Sequence, residues 1–421
     1  AIRRAARPLI VAGGGVLYSG AEQQLAALAE TTGIPVATTQ AGGGSLRWDH
    51  PQYLGGIGAT GTAAANRIAA IADVVIGIGI RYSDFTTASR SAFQDPGVRF
   101  VNINVVALDA HKLGSDLPLV ADAREALIEI AGELAGFTID PDYGHRIAAE
   151  KSDWERIVDA AFAPSGRARP GQPEIIGAVR AACADRDVIV QAAGSLPGDL
   201  HKLWRVADPL GYHVEYAYSC MGYEIAGGLG AKRGLLAAGD DRDVIVMVGD
   251  GSYLMLSSEL ATIVAERIKI IVIIVDNQGF ASIGHLSETV GSGRFGTKYR
   301  RYDAPRRNFE GDELLPVDLA MNARSYGLDV IDIPPTPNAI EDLTAAVAQA
   351  KSSTQSTVIH IVSDPEIYAP DGEGFWDVPV AEVSAVAAPR AARREYEQRR
   401  AVMRPLIGPA GPIGSADGGA T

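Results

Sequence analysis

The stretch that decides the fold is GDGSYLMLSSELATIVAERIKIIVIIVDNQGF, residues 249–280. A buried-strand pattern precedes it at 243–248, apolar residues at helical spacing follow, and a second strand pattern occupies 270–275. Strand, helix and strand in this order form a right-handed crossover, which brings the carboxyl ends of two parallel strands to one edge of a sheet. We therefore expect Asp250 and Asn277 to lie side by side in the crevice where open α/β sheets bind ligands.

Asp250 and Asn277 offer the kind of oxygen ligand that Mg²⁺ prefers. A carboxylate, an amide oxygen and a nearby carbonyl are too few to fill the magnesium shell, which water and substrate phosphates usually complete. The pair therefore predicts half of a metal site that a bound diphosphate would complete. The structural alternative is that Asp250 caps the following helix and Asn277 belongs to a turn. The placement of both residues at strand ends favours the metal interpretation.

Strand patterns alternate with helix patterns along most of the chain. This alternation predicts an α/β fold with two doubly wound parallel sheets in separate domains. We assign residues 1–136 to a Rossmann-like domain and 137–172, rich in Pro and Gly around a polar helix, to a linker. Residues 173–384 form the second domain with its C-terminal extension, and 385–421 a charged helix and a disordered tail.

Composition argues against several classes of function. The formal net charge is −13, and Lys and Arg cluster only in the C-terminal tail, so neither nucleic acid nor an anionic membrane is expected as a partner. Two cysteines, Cys183 and Cys220, fit a reducing compartment better than a disulfide scaffold. No apolar run approaches the roughly 20 residues that span a bilayer. We expect a cytoplasmic protein that binds a small molecule.

Two glycine-rich turns invite a dinucleotide interpretation. GGGVLYSG (13–20) and GIGIRY (77–82) each begin the G-x-G-x-x-G pattern, but Tyr18 and Tyr82 stand where its third glycine belongs. Any tight strand-to-helix turn favours glycine. We therefore predict a Rossmann-like turn without a bound cofactor.

The spacing from GDG to Asn277 resembles the motif of thiamine-diphosphate (ThDP) enzymes, in which about two dozen residues intervene; here they are 252–276. In that family the Asp and Asn side chains bind the metal together with the carbonyl two residues past the Asn. The resemblance implies Mg²⁺ ligation by Asp250, Asn277 and the Gly279 carbonyl. It also implies that the rest of the turn borders the diphosphate: Gly249, Gly251 and Ser252.

Two flanking stretches are similar to further parts of the ThDP-binding domain. QAAGSLPGDLHKLW (191–204) resembles the turn after its first strand, and EYAYSCMGYEIAGGLGAK (215–232) resembles the segment under the aminopyrimidine. Met221 matches the bulky apolar residue that holds ThDP bent, although a Met is more often core filler. The resemblance implies cofactor contacts from these stretches by Gly194, Ser195, Leu196, Cys220 and Met221.

Longer motifs narrow the resemblance within the family. Four motifs resemble those of the family members that act in inositol catabolism: AGSLPGDL (193–200), SCMGYE (219–224), DGEGFWDVPVAEVS (371–384) and QYLGGIGATGTAAAN (52–66). The implied activity is ThDP- and Mg-dependent hydrolytic cleavage of a ring C–C bond in a polyhydroxylated cyclic diketone. The alternatives are an acetolactate-synthase-like carboligase, a Mg-ThDP-binding module without chemistry and, from another class, a nicotinamide dehydrogenase.

Family members activate ThDP with a Glu on a pyrimidine-binding domain that normally precedes the middle domain. Nothing in this sequence matches that domain, so we expect the chain to be a C-terminal portion, with the activating Glu outside it. The resemblance also implies a homodimer or homotetramer. Polar residues near the cofactor stretches are candidates for proton transfer or substrate binding: His213, Glu215, Tyr218, Ser195, Glu224 and His285.

Overall fold

The computed structural model describes residues 1–216 and 218–406. They form two compact units: the first contains 1–154, 371–379 and the described part of 394–421, and the second contains 155–370 and 380–393. Within the described residues, no helix is both long and apolar enough to cross a membrane.

The first unit is built on a six-stranded parallel sheet. Its strands are β1 (Pro8–Ala12), β2 (Val36–Thr38), β3 (Tyr53–Gly56), β4 (Val74–Ile78), β5 (Arg99–Asn104) and β6 (Leu117–Val120). The strand order is β3-β2-β1-β4-β5-β6. The chain moves outward from β1 on one side, then returns to β4 on the other, which is the doubly wound arrangement.

Helices pack on this sheet. They are α1 (Gly14–Tyr18), α2 (Glu22–Thr32), α3 (Ala63–Ile71), α4 (Ala107–Ala110) and α5 (Ala123–Glu133), with short 3-10 turns at Ile2–Arg4, Gln40–Gly42 and Lys112–Gly114. The apolar core joins Ile10, Ile76 and Val101 from three neighbouring strands to residues of α2 and α5. The predicted linker contains one long helix, the 22-residue α6 (Pro141–Phe162).

The turns after β1 and β4 press against each other backbone to backbone. The Gly13 N–H donates to the Ile78 carbonyl at 2.9 Å, and the Gly15 N–H donates to the Gly79 carbonyl at 3.1 Å. A Cβ on Gly13 would lie 2.4 Å from the Gly79 oxygen, and one on Gly15 would lie 2.5 Å from Gly79 Cα. Close packing therefore explains the glycines without a bound dinucleotide.

The second unit carries another six-stranded parallel sheet, in the order β11-β12-β10-β9-β7-β8. Its strands are β7 (Val188–Gln191), β8 (Tyr212–Val214), β9 (Val244–Gly249), β10 (Ile271–Asp276), β11 (Asp329–Ile333) and β12 (Thr357–Val362). The central strands are apolar because both of their faces are covered by helices. The predicted α/β fold with two parallel sheets is confirmed.

Helices flank the strands of the second unit. They are α7 (Gln172–Ala182), α8 (Leu196–Leu203), α9 (Tyr223–Ala237), α10 (Asp250–Met255), α11 (Glu259–Glu266), α12 (Ala281–Thr289), α13 (Leu319–Ser325) and α14 (Ala339–Ser352). The charged helix predicted after residue 385 corresponds to α15 (Ala387–Arg400). The predicted disordered tail, beyond residue 406, lies outside the described residues.

The predicted crossover from β9 to β10 is confirmed. The two strands are parallel neighbours, with Gly249 opposite Val275. The connection contains two helices rather than the single helix that the sequence predicts: α10 begins at Asp250 itself, and α11 begins at Glu259.

Gly15→Ala is expected to destabilise the first unit by roughly 1–3 kcal/mol, the cost of overpacking a tight contact. The matched control is Gly132→Ala in α5, where a Cβ meets nothing within 4 Å. There Ala should stabilise the helix by roughly 0.5–1 kcal/mol. Chemical denaturation followed by circular dichroism measures both. Similar effects of the two variants would contradict the packing explanation.

Candidate functional site

Asp250 lies where β9 and β10 end side by side. Its side chain is almost fully buried. The Gly251 N–H donates to Oδ1 at 3.0 Å, and the Gly279 N–H donates to Oδ2 at 2.8 Å. The second bond joins the two strand ends directly. The structure thus brings Asp250 to the 277–279 loop, as the crossover predicts.

Asn277 carries a buried acceptor that lacks a partner. Its Oδ1 makes no hydrogen bond within the described residues. Leaving such an atom unpaired costs roughly 1–3 kcal/mol, and a bound cation would remove that cost. The following residue, Gln278, has a left-handed φ of 61°, so the loop turns sharply beside Asp250. The residues present therefore fit a cation.

A second carboxylate, which sequence reasoning missed, lies beside Asp250. Burial and the charge of Asp276 raise the pKa of Asp250 well above its ordinary value. Burial alone would also raise the pKa of Asp276, but hydrogen bonds from His360 and Asp250 outweigh it and lower that pKa. A divalent cation would favour the ionised form of both carboxyl groups. The signal in the sequence was the Asp directly before Asn277.

His360 holds Asp276 from the neighbouring strand β12. Its Nε2 lies 3.2 Å from Asp276 Oδ2, and its Nδ1 lies 2.8 Å from Asp332 Oδ1. Burial lowers the pKa of His360, but the two carboxylates outweigh burial and raise it. The His360 ring on β12 therefore links Asp276 at the end of β10 to Asp332 in β11.

A cavity with about 430 Å³ of empty space, open to solvent, covers this edge of the sheet. Its lining includes most residues that the resemblance implies: Gly194, Ser195, Leu196, Met221, Gly249, Asp250, Gly251, Ser252, Asn277 and Gly279. It also includes residues that sequence reasoning did not single out: Gln172, Ala193, Phe280, Ala281, Ser282 and Ile283. The stretches named for separate reasons thus line one cavity.

Gly251 leaves its backbone open to the cavity. A Cβ at this position would lie 2.8 Å from the Phe280 ring. A side chain at this position would therefore push the Phe280 ring, which also lines the cavity, aside. This close approach of backbone to a bound group is a common reason for glycine in phosphate-binding turns.

Glu224 ties three loops of the site together. The Ser252 hydroxyl donates to its carboxylate at 2.7 Å, and the N–H groups of Gly222 and Ala193 donate at 3.1 and 3.3 Å. Burial raises the pKa of Glu224, and these bonds oppose the rise. Because its oxygens are occupied, the structure gives Glu224 the role of holding Met221 and the GDG turn in place.

The side chains of the two candidate histidines contact tyrosines instead of the cavity. His213 Nε2 lies 2.7 Å from the Tyr223 hydroxyl, the two rings stack, and burial lowers the pKa of His213. His285 stacks on Tyr368 with ring centroids 4.2 Å apart. Neither histidine lines the cavity.

The candidates Glu215, Tyr218 and Cys220 also lie outside the cavity lining. The Glu215 carboxylate accepts the N–H groups of Tyr218 and Cys220, at 3.3 and 2.6 Å. Tyr218 is 86% exposed, and Cys220 is exposed as well. In this conformation the carboxylate stabilises its own loop, so the structure does not bring the three residues to the site.

Ser195 belongs to a polar chain that sequence reasoning missed. Its hydroxyl donates to Gln172 Oε1 at 3.0 Å, and Gln172 Nε2 donates to Asp199 Oδ2 at 2.6 Å. Burial raises the pKa of Asp199 to about 6. Because the Ser195 proton is directed at Gln172, the lone pairs of its oxygen remain for a donor in the cavity. The only sequence signal was an Asp one helical turn after Ser195.

Asp199→Asn should change how stability depends on pH. A carboxyl group whose pKa rises on folding lowers the free energy of unfolding as pH increases from about 4 to about 6. For this shift the decrease is up to roughly 3 kcal/mol. Asn does not titrate, so the variant should gain stability relative to the original chain over that range. Denaturation at pH 4, 5, 6 and 7 measures it, with exposed Asp241→Asn as control. Parallel curves for all three proteins would rule out a raised Asp199 pKa.

Comparison with known proteins identifies the class. Residues 1–130 match the family described as thiamine pyrophosphate enzyme, central domain, and residues 192–361 match its C-terminal TPP binding domain. Thiamine pyrophosphate is another name for ThDP. The chain belongs to the thiamine pyrophosphate enzyme family, and the resemblance to ThDP enzymes is confirmed.

Two similar proteins from different organisms have the same name. The chain is 40% identical over 422 residues to 3D-(3,5/4)-trihydroxycyclohexane-1,2-dione hydrolase of Bacillus cereus (strain AH820). The alignment covers 94% of this chain and 64% of that protein. The hydrolase of Bacillus thuringiensis (strain Al Hakam) is 40% identical over 407 residues, covering 91% and 62%. The chain thus spans a little under two thirds of the length of these relatives.

Proposed function

We propose that this chain holds Mg²⁺ and ThDP for the hydrolytic ring opening of 3D-(3,5/4)-trihydroxycyclohexane-1,2-dione. The product would be 5-deoxy-glucuronate, formed in cytoplasmic myo-inositol catabolism by a homodimer or homotetramer. The observation that carries the proposal is that Asn277 Oδ1 is buried without a partner among the described residues, while Asn277 lines the same cavity as buried Asp250. The shared name of the relatives supports the choice of substrate.

Three groups would hold the cation: the Asp250 carboxylate, Asn277 Oδ1 and the Gly279 carbonyl. The turn around Gly251 would bind the diphosphate through its backbone, and Met221 would support the organic part of the cofactor. When bound, ThDP supplies an electron sink for breaking a C–C bond next to a carbonyl. The protein's share is to bind, to orient and to move protons.

The polar side of the cavity suits a substrate rich in hydroxyl groups. Ser195 has its proton engaged by Gln172, so its oxygen would accept a hydrogen bond from a substrate hydroxyl. Gln172 is held in turn by Asp199 and cannot rotate without breaking that bond. This arrangement would orient the substrate and gives Ser195 the role of an acceptor.

Asp250→Asn should separate stability from binding. Burial and Asp276 raise the pKa of Asp250, so removing its charge is favourable near neutral pH; this gain should offset the loss of one of the two backbone N–H bonds that the carboxylate accepts, leaving unliganded stability little changed. Affinity for Mg-ThDP should fall by more than about 100-fold, since even residues that only support metal ligands are worth 10–100-fold. Calorimetric titration and denaturation measure the two effects. Asp241→Asn, at the opposite edge of the sheet, is the control. Unchanged affinity would exclude Asp250 from the cation site.

Product analysis tests the proposed reaction. The assay uses this chain together with any coding sequence that precedes residue 1, because family members activate ThDP with a Glu on another domain. With Mg²⁺ and ThDP present, the cyclic dione should be consumed and the open-chain acid formed, while pyruvate should remain. Turnover of pyruvate alone would support the carboligase instead. Binding of Mg-ThDP without turnover of either compound would support a non-catalytic module.

A further inference from the structure

His360 is a buried histidine that does not line the cavity, yet it contacts the start of the turn after β10. It stands on β12 opposite Asp332 of β11, and on its other side it is opposite Ile274 of β10. Because side chains alternate along a strand, Asp276 lies on the same face of the sheet as Ile274 and His360. The sheet therefore places an imidazole between two carboxylates, and the proposed chemistry gives this imidazole no role.

Both ring nitrogens of His360 face carboxylate oxygens. Nδ1 lies 2.8 Å from Asp332 Oδ1, and Nε2 lies 3.2 Å from Asp276 Oδ2. Because an ionised carboxylate only accepts hydrogen bonds, each nitrogen donates to its partner. The Asp332 side chain is half exposed, whereas that of Asp276 is only 14% exposed. The ring is thus anchored at the surface on one side and holds a buried carboxylate on the other.

The Asp276 carboxylate shapes the turn after β10. Its Oδ1 accepts the Gln278 N–H at 2.8 Å, which is the way an Asp side chain stabilises a turn two residues on. Gln278 has a left-handed φ of 61°, a conformation that is uncommon for residues other than glycine. The conformation of the turn therefore depends on the direction of the Asp276 side chain, which His360 sets.

The same turn presents two of the proposed cation ligands. Asn277 and Gly279 flank Gln278, and both line the cavity. The Gly279 N–H donates to Asp250 Oδ2 at 2.8 Å, so the turn also contacts the third ligand. If the Asp276 carboxylate turned away, Gln278 would lose its bond and the ligand oxygens would lose their fixed spacing. Mg²⁺ is sensitive to this spacing, because it requires near-octahedral geometry at roughly 2.1 Å.

We propose that His360 is a positioning residue for the cation: it fixes the Asp276 carboxylate and thereby the 277–279 turn. Asp332 anchors the ring from the surface side. The inference rests on the proposed function, because it assumes that the turn binds Mg²⁺ together with ThDP. His360 contacts neither the cation nor the cofactor and acts only through Asp276.

Two replacements of His360 test its bond to Asp276. Gln can place an amide N–H near the position of Nε2, whereas the shorter Asn reaches only the position of Nδ1. His360→Asn should lower the affinity for Mg²⁺ in the presence of ThDP by roughly 10–100-fold, the usual effect of losing a group that supports a metal ligand. His360→Gln should recover most of that loss. Calorimetric titration of the full protein, with any sequence preceding residue 1, measures the affinity.

Titration with Ca²⁺ separates positioning from general loss of packing. Ca²⁺ accepts longer and more flexible coordination, so His360→Asn should weaken Ca²⁺ binding less than Mg²⁺ binding. Val358→Ala is the control, because Val358 is fully buried two residues before His360 on β12. It should lower stability and leave the ratio of the Mg²⁺ and Ca²⁺ affinities unchanged. Asp332→Ala, at a half-exposed position, should lower the Mg²⁺ affinity by a smaller factor than His360→Asn.

The outcomes distinguish this inference from the proposed function. Unchanged Mg²⁺ affinity in His360→Asn or in Asp332→Ala would overturn the inference while leaving the proposed function intact. Equal losses in the Asn and Gln variants, or an equal fall of the affinity ratio in Val358→Ala, would also overturn it. Failure of the original protein to bind Mg-ThDP would overturn the proposed function and this inference together.

Discussion

The hydrogen bond from the Gly279 N–H to Asp250 depends on the parallel register of β9 and β10, and the rest of the site depends on that bond. Gly249 lies opposite Val275, so both strands leave the sheet at the same level. A shift of one residue would turn every side chain of a strand to the other face. It would separate Asp250 from the 277–279 loop, and the oxygen ligands would no longer converge.

The site is costly for the unliganded protein. Asp250 and Asp276 are neighbouring carboxyl groups with little access to water, and Asn277 Oδ1 and the Tyr299 hydroxyl are buried without partners among the described residues. The costs at Asp250, Asp276 and Asn277 would fall when a cation binds. The groups at these positions therefore favour ligand binding but lower the stability of the unliganded protein, as at many binding sites. The glycines and Glu224 hold this arrangement in place from the surrounding loops.

Much of the site could be predicted because it follows from local patterns. Asp250 and Asn277 stand at strand ends that apolar runs mark clearly, and the crossover rule makes such ends neighbours. Gln172 could not be found this way, because it lies on α7 and reaches the cavity only through tertiary packing; the same holds for Asp199, which contacts Gln172 from α8. The candidates His213, Glu215 and Tyr218 do not line the cavity, for the converse reason. They are close to the cofactor stretches in sequence, but their side chains serve their own loops.

The sequence by itself determined the alternation of strands and helices, the two parallel sheets and the meeting of Asp250 with Asn277. These follow from hydrophobic periodicity and chain handedness, which act over short stretches. Only the tertiary structure decided which polar atoms are satisfied and which are not. Glu224 and Ser195 have partners, whereas Asn277 Oδ1 and the Tyr299 hydroxyl have none in the part of the chain that the structure describes. That difference depends on contacts between segments that are distant in sequence, which no local pattern records.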